Sequence, residues 1–509
     1  MTIDQLLYRV GQLETRVQEQ DAELVRLRAE NESLRQRVIQ LEAENQELKA
    51  ENQRLKQLLH EKGEGKKSKK PQFSTNYSVE RNEPGDKKAP KRKKKRKPST
   101  GRLPNSVKGD KADQTLDIHP KGVIRNDHVL HREQFAWRLI DGKAVYVRYL
   151  IYAPEGAEEL PLVPGVRTKT SEYGIEILLS LAFLVYWKNN SIDDACEILR
   201  YFTGLDLSKG QADSLLNQLA RDWESEYDTI AKLIAVATIV YIDETGWKLG
   251  KTQCYTWIFS TMNEVFYEFG VGRGKDVLER ILGKDFSGTG ISDDYAAYDS
   301  IFSEHQLCWA HPLRKAIELA LKYPDNKEYQ QFMRDLFDLY YEAVRLSKDK
   351  RLSVSRPQKA AELQEKLASL CVRANETIIT EKAFEKAKQA DPHTPITKTG
   401  EPEAKMIHLQ KQLLEKRSNM FVFVTNTEVE PTNNSSERLA RPEANARKLG
   451  RTSKTHKGAR RRGIIMTVFG TLKKRLAEFT LPSLTEVVTK SLAMGIALFN
   501  LVNAKLQPG

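Results

Sequence analysis

Three carboxylates stand where metal-dependent chemistry could use them. Asp243 lies in VYIDETGW, Asp293 in ISDDYAAYD and Glu437 in NNSSERLARP. The local patterns place Asp243 at the end of an apolar strand, Asp293 just after another strand, and Glu437 just inside a helix. Carboxylates at strand ends, joined by one from a helix, can converge above a sheet, and hard oxygen donors of this kind suit Mg2+ or Mn2+. Two such ions activate a water or a 3′-hydroxyl and stabilise the leaving oxygen of a phosphodiester. Each residue also has a plainer reading. Asp243-Glu-Thr-Gly suits a type I turn, Asp293 suits a cap on a helix from Tyr295, and Asn434 with Glu437 makes a capping box, with Arg441 one turn further on. Taken singly the plainer readings are stronger. With the basic segment that follows Glu437, the balance reverses.

That basic segment belongs to an uneven charge distribution. The 509 residues carry 82 Lys+Arg against 69 Asp+Glu, a net charge of +13. Residues 62–98 hold 15 basic and 4 acidic side chains; residues 438–475 hold 13 basic side chains and one acid, Glu443, so the remainder is net negative. Positive charge focused in this way is the footprint of a polyphosphate partner. The four cysteines, Cys196, Cys254, Cys308 and Cys371, form no C-x-x-C pair, which excludes a disulfide framework and a zinc ribbon. The longest apolar stretch, Ile175–Trp187, has 13 residues, short of the ~20 that span a bilayer. MTIDQLLYRV lacks the charge-then-apolar order of a signal peptide. A soluble, intracellular protein with no membrane partner is expected.

The elements that would position the carboxylates follow from periodicity. Residues 1–60 carry two interleaved heptad series, including Leu27, Leu34, Leu41, Leu48 and Leu55 at one position and Leu24, Asn31, Val38, Asn45 and Asn52 at the other. This predicts a parallel coiled coil and a homodimer or higher oligomer. Residues 61–115 form a basic disordered linker, whose KAPKRKKKRKP core has almost nothing apolar to bury. In residues 116–165, apolar alternation on both sides of Asp141-Gly142 predicts a β-hairpin. Residues 166–230 read as helical: a buried helix over Ser171–Lys188, then two helices capped by Ser191 and Ser208 and joined through Gly204. Such a pair resembles a helix-turn-helix, with Lys209, Gln211, Asn217 and Arg221 facing DNA. Residues 231–311 hold three consecutive strands, a short helix at Lys275–Leu282, a strand at Thr289–Ile291, a helix at Tyr295–Phe302 and a strand at His305–Leu307. That order is α/β, a ribonuclease-H-like mixed sheet. Residues 312–418 make a long helical insertion, residues 419–480 the last part of the core, and residues 481–509 a C-terminal helix.

The motifs IDETGW, SDDYAAYD, LCWAHPLRK and PTNNSSERLARPEANARK occur in this order, and over roughly Glu172–Thr480 the chain resembles DDE transposases of the insertion sequence 66 family. The resemblance implies a ribonuclease-H-like core with Asp243, Asp293 and Glu437 as catalytic metal ligands for two Mg2+ or Mn2+ ions. It also implies an N-terminal coiled coil and strand transfer at the element's ends, with double-stranded DNA, terminal repeats and target alike, as partner. Two departures stand out. Residues 116–165 contain no cysteine, so the family's zinc module does not carry over, and Asp294 follows Asp293, where spacing to YAAY favours Asp293. Cys308 and His311 form a C-x-x-H pair that lacks two zinc partners nearby; a structural role at the floor of the site is expected. Asn433 and Asn434 are expected to orient the helix or contact DNA. Arg438, Arg441, Arg447, Lys448, Arg451, Lys454, Arg460, Arg461 and Arg462 are expected to grip phosphates, adding affinity and salt dependence. The expected function is therefore a transposase of a prokaryotic cytoplasm, associated with the nucleoid. A non-catalytic DNA-binding regulator and a ribonuclease-H-like nuclease are the alternatives.

Overall fold

A computed structural model of the chain describes residues 104–371 and 401–502. The expected coiled coil, and the linker as far as residue 103, lie outside the described residues. Within the expected linker, the described residues form a short helix α1 (Asn105–Gly109) and strand β1 (Gln114–Ile118). The hairpin follows as β2 (His128–Ile140) and β3 (Lys143–Pro154). Asp141 and Gly142 both take positive φ, 50° and 77°, as a two-residue turn between twisted strands requires. β1 pairs in parallel with β3, giving a three-stranded sheet in the order β1-β3-β2 over a small core of Ala136, Val147, Tyr149, Ile151, Val163 and Val166.

Helix α2 spans Ile175–Ala182 and continues as a π-helical turn through Trp187. It starts with the apolar run, four residues later than the helix expected from Ser171, because Tyr173 and Gly174 bridge to Trp137 and Val166. Helices α3 (Ile192–Thr203) and α4 (Lys209–Asp222) each begin in a capping box, Ser191 with Asp194 and Ser208 with Gln211. Gly204, in the left-handed conformation, ends the first of them. Several side chains expected to face DNA are engaged internally. Gln211 caps its own helix and donates to the Tyr173 hydroxyl, Lys209 pairs with Asp193, and Asn217 bonds Asp213. Helix α5 (Glu224–Ala235) leads into the main sheet.

That sheet comprises β4 (Ile239–Leu249), β5 (Thr252–Ser260), β6 (Val265–Val271), β7 (Thr289–Ser292) and β8 (Glu304–Leu307), with α6 (Lys275–Leu282) between β6 and β7. The first three strands are antiparallel; β7 then pairs in parallel with β4 and β8 with β7, in the order β6-β5-β4-β7-β8. This mixed sheet fits the ribonuclease-H-like core expected from the strand sequence. Two local expectations do not hold. Asp243 does not end its strand, because β4 runs on to Leu249 and Asp243 pairs with Ile258 across the ladder. The Tyr295–Phe302 segment is a run of turns rather than a helix, with Tyr298 fully buried.

Successive residues of β4 point to opposite faces. Val240 and Ile242 join a core with α2, α4, α5 and the later helix α13, whereas Ile239 and Tyr241 join a second core with the helical insertion. Across the expected insertion lie α7 (Ala310–Lys322), α8 (Lys327–Lys348), α9 (Arg356–Leu370) and α10 (Glu401–Glu415), and the single turn α11 (Val422–Thr425), just beyond its expected end, packs with them. Helices α12 (Asn434–Lys448), α13 (His456–Arg475) and α14 (Leu481–Met494) follow. Helix α13 closes the β6 edge of the sheet. The Thr467 and Thr471 hydroxyls accept hydrogen bonds from the backbone N–H groups of Tyr267 and Val265, one helical turn apart. Such close approach needs Gly470, where a Cβ would sit 2.9 Å from the Val265 side chain.

Candidate active site

Register brings the first two carboxylates together. The β4–β7 ladder ends at the pair Tyr241–Ile291, and Asp243 and Asp293 each lie two residues beyond, Asp243 still on β4 and Asp293 just past the end of β7. Glu437 sits in the first turn of α12. That helix is tied to the sheet by Asn433, which is buried: its Nδ2 donates to the Ile242 carbonyl at 2.6 Å and its backbone N–H donates to Cys308 Sγ at 3.1 Å. The Trp309 backbone N–H donates to the Pro431 carbonyl at 3.0 Å, so the CWAH and NNSSER segments are held edge to edge.

Crowding of acids shows in the two aspartates. Burial pushes Asp243 up to about 8, and the charges of Glu244, Asp293 and Glu437 push the same way; only the Glu244 backbone N–H opposes them. Asp293 is also raised, first by burial; the Tyr295 backbone N–H and Arg273 oppose the rise, whereas Asp294 and Glu437 add to it. Desolvated acids crowded in this way disfavour their charged forms. The donor set, carboxylate oxygens throughout, suits a hard divalent cation. Asp294 is differently engaged: its carboxylate accepts from Gln412 of α10 and lies 4.0 Å from Lys416.

Several side chains around this cluster escaped sequence reasoning. Glu244 is buried, with one oxygen accepting from Arg273 at 2.7 Å and the other from the Tyr298 hydroxyl at 2.6 Å. Burial and the Asp293 charge raise its pKa, while hydrogen bonds from Tyr298 and Arg273 oppose the rise. Arg273 in turn lies over the Tyr295 ring, 4.1 Å from its centre. Arg314 of α7 donates to Glu437 Oε2 at 2.7 Å, in place of the Arg441 contact that sequence spacing suggested. The only advance signal for Glu244 and Arg314 was their place inside IDETGW and LCWAHPLRK.

Cys308 and His311 adjoin Glu437. Cys308 Sγ is 3.7 Å and His311 Nδ1 3.9 Å from Glu437 Oε1. Among the described residues these three form the one set whose ligand atoms all lie within 4.8 Å of one another; Asp243, Asp293 and Glu437 are more widely spaced. The C-x-x-H pair therefore does have a third donor nearby, supplied from 126 positions beyond His311 in the chain.

The basic side chains divide into two groups. Arg438, Arg441 and Lys448 are exposed, and Asn434 and Arg438 line a cavity of about 730 Å3 together with Lys188 and Lys473. The arginines from Arg447 to Arg462 are committed to the fold. Arg447 donates to the Gly246 carbonyl, Arg451 pairs with Asp194, and Arg460 pairs with Asp228 while lying over Tyr227. Arg461 pairs with Asp213. Arg462 is buried, bonded to Glu443 at 2.8 Å and Asn189 at 2.6 Å, with its guanidinium 5.0 Å from the centre of the Trp247 ring. Arg462 thus corrects the expectation of a phosphate contact: helical spacing turns it inward, and Glu443, the one acid of the basic segment, is its partner.

Among the described residues no helix is long and apolar enough to cross a membrane. No curated protein matches the chain. The family model described as "Transposase IS66 family" matches residues 171–461, more than half of the chain, from the loop before α2 through β4, β7, the CWAH segment and the helix of Glu437. The chain belongs to the transposase IS66 family.

Proposed function

We propose that this transposase cuts and joins DNA by metal-dependent phosphodiester chemistry of the DDE type, with Asp243, Asp293 and Glu437 as the ligand set. The observation that supports the reading is the placement of these three acids: Asp243 on β4 and Asp293 just past β7, each two residues beyond the last pair of the β4–β7 ladder, with Glu437 in the first turn of the helix that Asn433 ties to β4. Mg2+ or Mn2+ held by their oxygens would supply activation of the attacking hydroxyl and stabilisation of the leaving oxygen. The chain's own residues supply position. Asn433 fixes the start of α12 against β4, and Arg314 orients Glu437 through one oxygen, leaving the other turned toward Cys308 and His311. Arg273 and Tyr298 neutralise and hold Glu244, so that this fourth acid stays apart from the ligand set. Exposed Arg438, Arg441 and Lys448 on the same helix as Glu437 are placed to meet phosphates beside the reacting one. A homodimer through residues 1–60 would pair two DNA ends.

The test is Mg2+-dependent cleavage and joining on a duplex carrying the element's own terminal sequence, with Asp293→Asn alongside. Joined product that is absent with the variant supports the reading. Cleavage without joining would point to a nuclease, and tight binding without cleavage to a DNA-binding regulator.

A further inference from the structure

Beside the carboxylate cluster lies a donor set of a different chemical kind. Cys308 Sγ, His311 Nδ1 and Glu437 Oε1 all fall within 4.8 Å of one another, with Sγ to Oε1 at 3.7 Å and Nδ1 to Oε1 at 3.9 Å. A tetrahedral zinc site with bonds of about 2.0–2.3 Å places its donors roughly 3.3–3.7 Å apart, so the three atoms need to draw in only modestly. The His311 Nδ1 atom is buried and has no hydrogen-bond partner, although it lies 3.9 Å from Glu437 Oε1. A buried polar atom left in this way costs free energy that a bound cation would recover. Cys308 Sγ already accepts the Asn433 backbone N–H, and Glu437 Oε2 accepts Arg314, so two of the three donors are oriented by outer hydrogen bonds. A cavity of about 30 Å3 opens against Cys308 and His311, on the side away from Glu437, lined also by Asp294, Lys315 and Gln412. One water needs about 10–15 Å3, so a fourth ligand fits.

We propose that Cys308, His311 and Glu437 form a binding site for a borderline-soft transition ion of the zinc class, and that filling it withdraws Glu437 from the carboxylate cluster. Thiolate and imidazole select such an ion over Mg2+, which prefers an all-oxygen shell. Binding replaces the Cys308 thiol proton, which passes to solvent, so the site takes one thiolate, one neutral imidazole and one carboxylate. The withdrawal of Glu437 rests on the metal-ligand role proposed above; the site itself does not. If the reading holds, an ion at this site keeps the transposase silent while Mg2+ is plentiful.

The experiment uses the full chain, stripped of metal and held in excess Mg2+, with Co2+ as the spectroscopic stand-in for Zn2+. The expected result is one equivalent of tetrahedral cobalt with a thiolate-to-cobalt charge-transfer band, reversed by Zn2+. Cys308→Ser should abolish that band. His311→Ala, at a partly exposed side chain, should weaken cobalt binding at least about tenfold, since losing even an outer-shell partner costs 10–100-fold. Asp243→Asn should leave the band in place. No thiolate band, a band that survives Cys308→Ser, or one lost in Asp243→Asn would overturn the proposal. Because the band is read without any DNA reaction, the site stands or falls separately from the proposed activity.

Discussion

Arg462→Ala separates two accounts of the basic segment. Arg462 and Glu443 form a buried ion pair, their side chains 5% and 0% exposed, and the Arg462 guanidinium is also bonded to Asn189 and packed against Trp247 and Phe269. Removing one partner leaves the other buried without its counter-charge, which costs about 3–5 kcal/mol. Glu443 is already pushed up by burial and held down only by Arg462, so its carboxyl would take up a proton in the variant. A phosphate contact would behave otherwise: its loss makes the slope of log affinity against log salt shallower by ~0.9 and leaves the fold alone. The assay is urea unfolding together with duplex binding across a salt series. We expect Arg462→Ala to lose ~3–5 kcal/mol of stability at an unchanged salt slope. Exposed Arg438→Ala and Arg441→Ala should each lose ~0.9 of slope at nearly unchanged stability. An Arg462→Ala protein as stable as the parent, with a slope shallower by ~0.9, would refute the assignment of Arg462 to the core.

Three further outcomes follow from the same geometry. Asn433→Ala removes the bond that holds α12 to the Ile242 carbonyl, so unfolding should show a loss of about 1–3 kcal/mol, and cleavage should fall with it because the same helix carries Glu437. Burial lowers His305 to about 4, where its ring bonds Ser292 at 2.8 Å. The unfolded chain takes up that proton near 6.5, so stability is fully present above about pH 6.5 and is lost toward pH 4, by roughly 3 kcal/mol; urea midpoints of His305→Phe should lack this component. Asp243 has the opposite sign. With a folded value of about 8, the metal-free protein loses stability as pH rises from the ordinary carboxyl range through 8. Thermal unfolding should therefore show Asp243→Asn as the more stable metal-free protein at pH 8, with Mg2+ raising the wild type only.

Local rules made much of the fold readable. Asp141-Gly142 announces its hairpin because few other residue pairs accept two positive φ values in succession, and Ser191 and Ser208 announce their helices because each has its capping partner three residues on. The succession of strands along the chain was readable from apolar runs, whereas their order within the sheet was not. The misreadings arose where tertiary pairing overrode local preference. The Asp243-Glu-Thr-Gly segment has turn composition, yet its backbone is held by a full ladder against β5. YAAYDSIF has helix-favouring residues, but Tyr298 is drawn into the core and bonds Glu244 from there, and the segment breaks into turns. Within the site, sequence brought Asp243, Asp293 and Glu437 forward as types at element ends. It had no means of showing that Arg314 and Glu437 meet across 123 residues, or that Cys308 and His311 find a third donor there. Charge counting likewise could not sort Arg438 and Arg441 from Arg462, because that distinction is one of burial.

The most direct test of the central claim is anomalous scattering from Mn2+ in crystals of the protein with its DNA. The account predicts manganese bound by the carboxylates of Asp243 and Asp293, with Glu437 completing the set, and none in the Asp243→Asn variant. Manganese absent from this cluster while DNA occupies the basic face of α12 would contradict it.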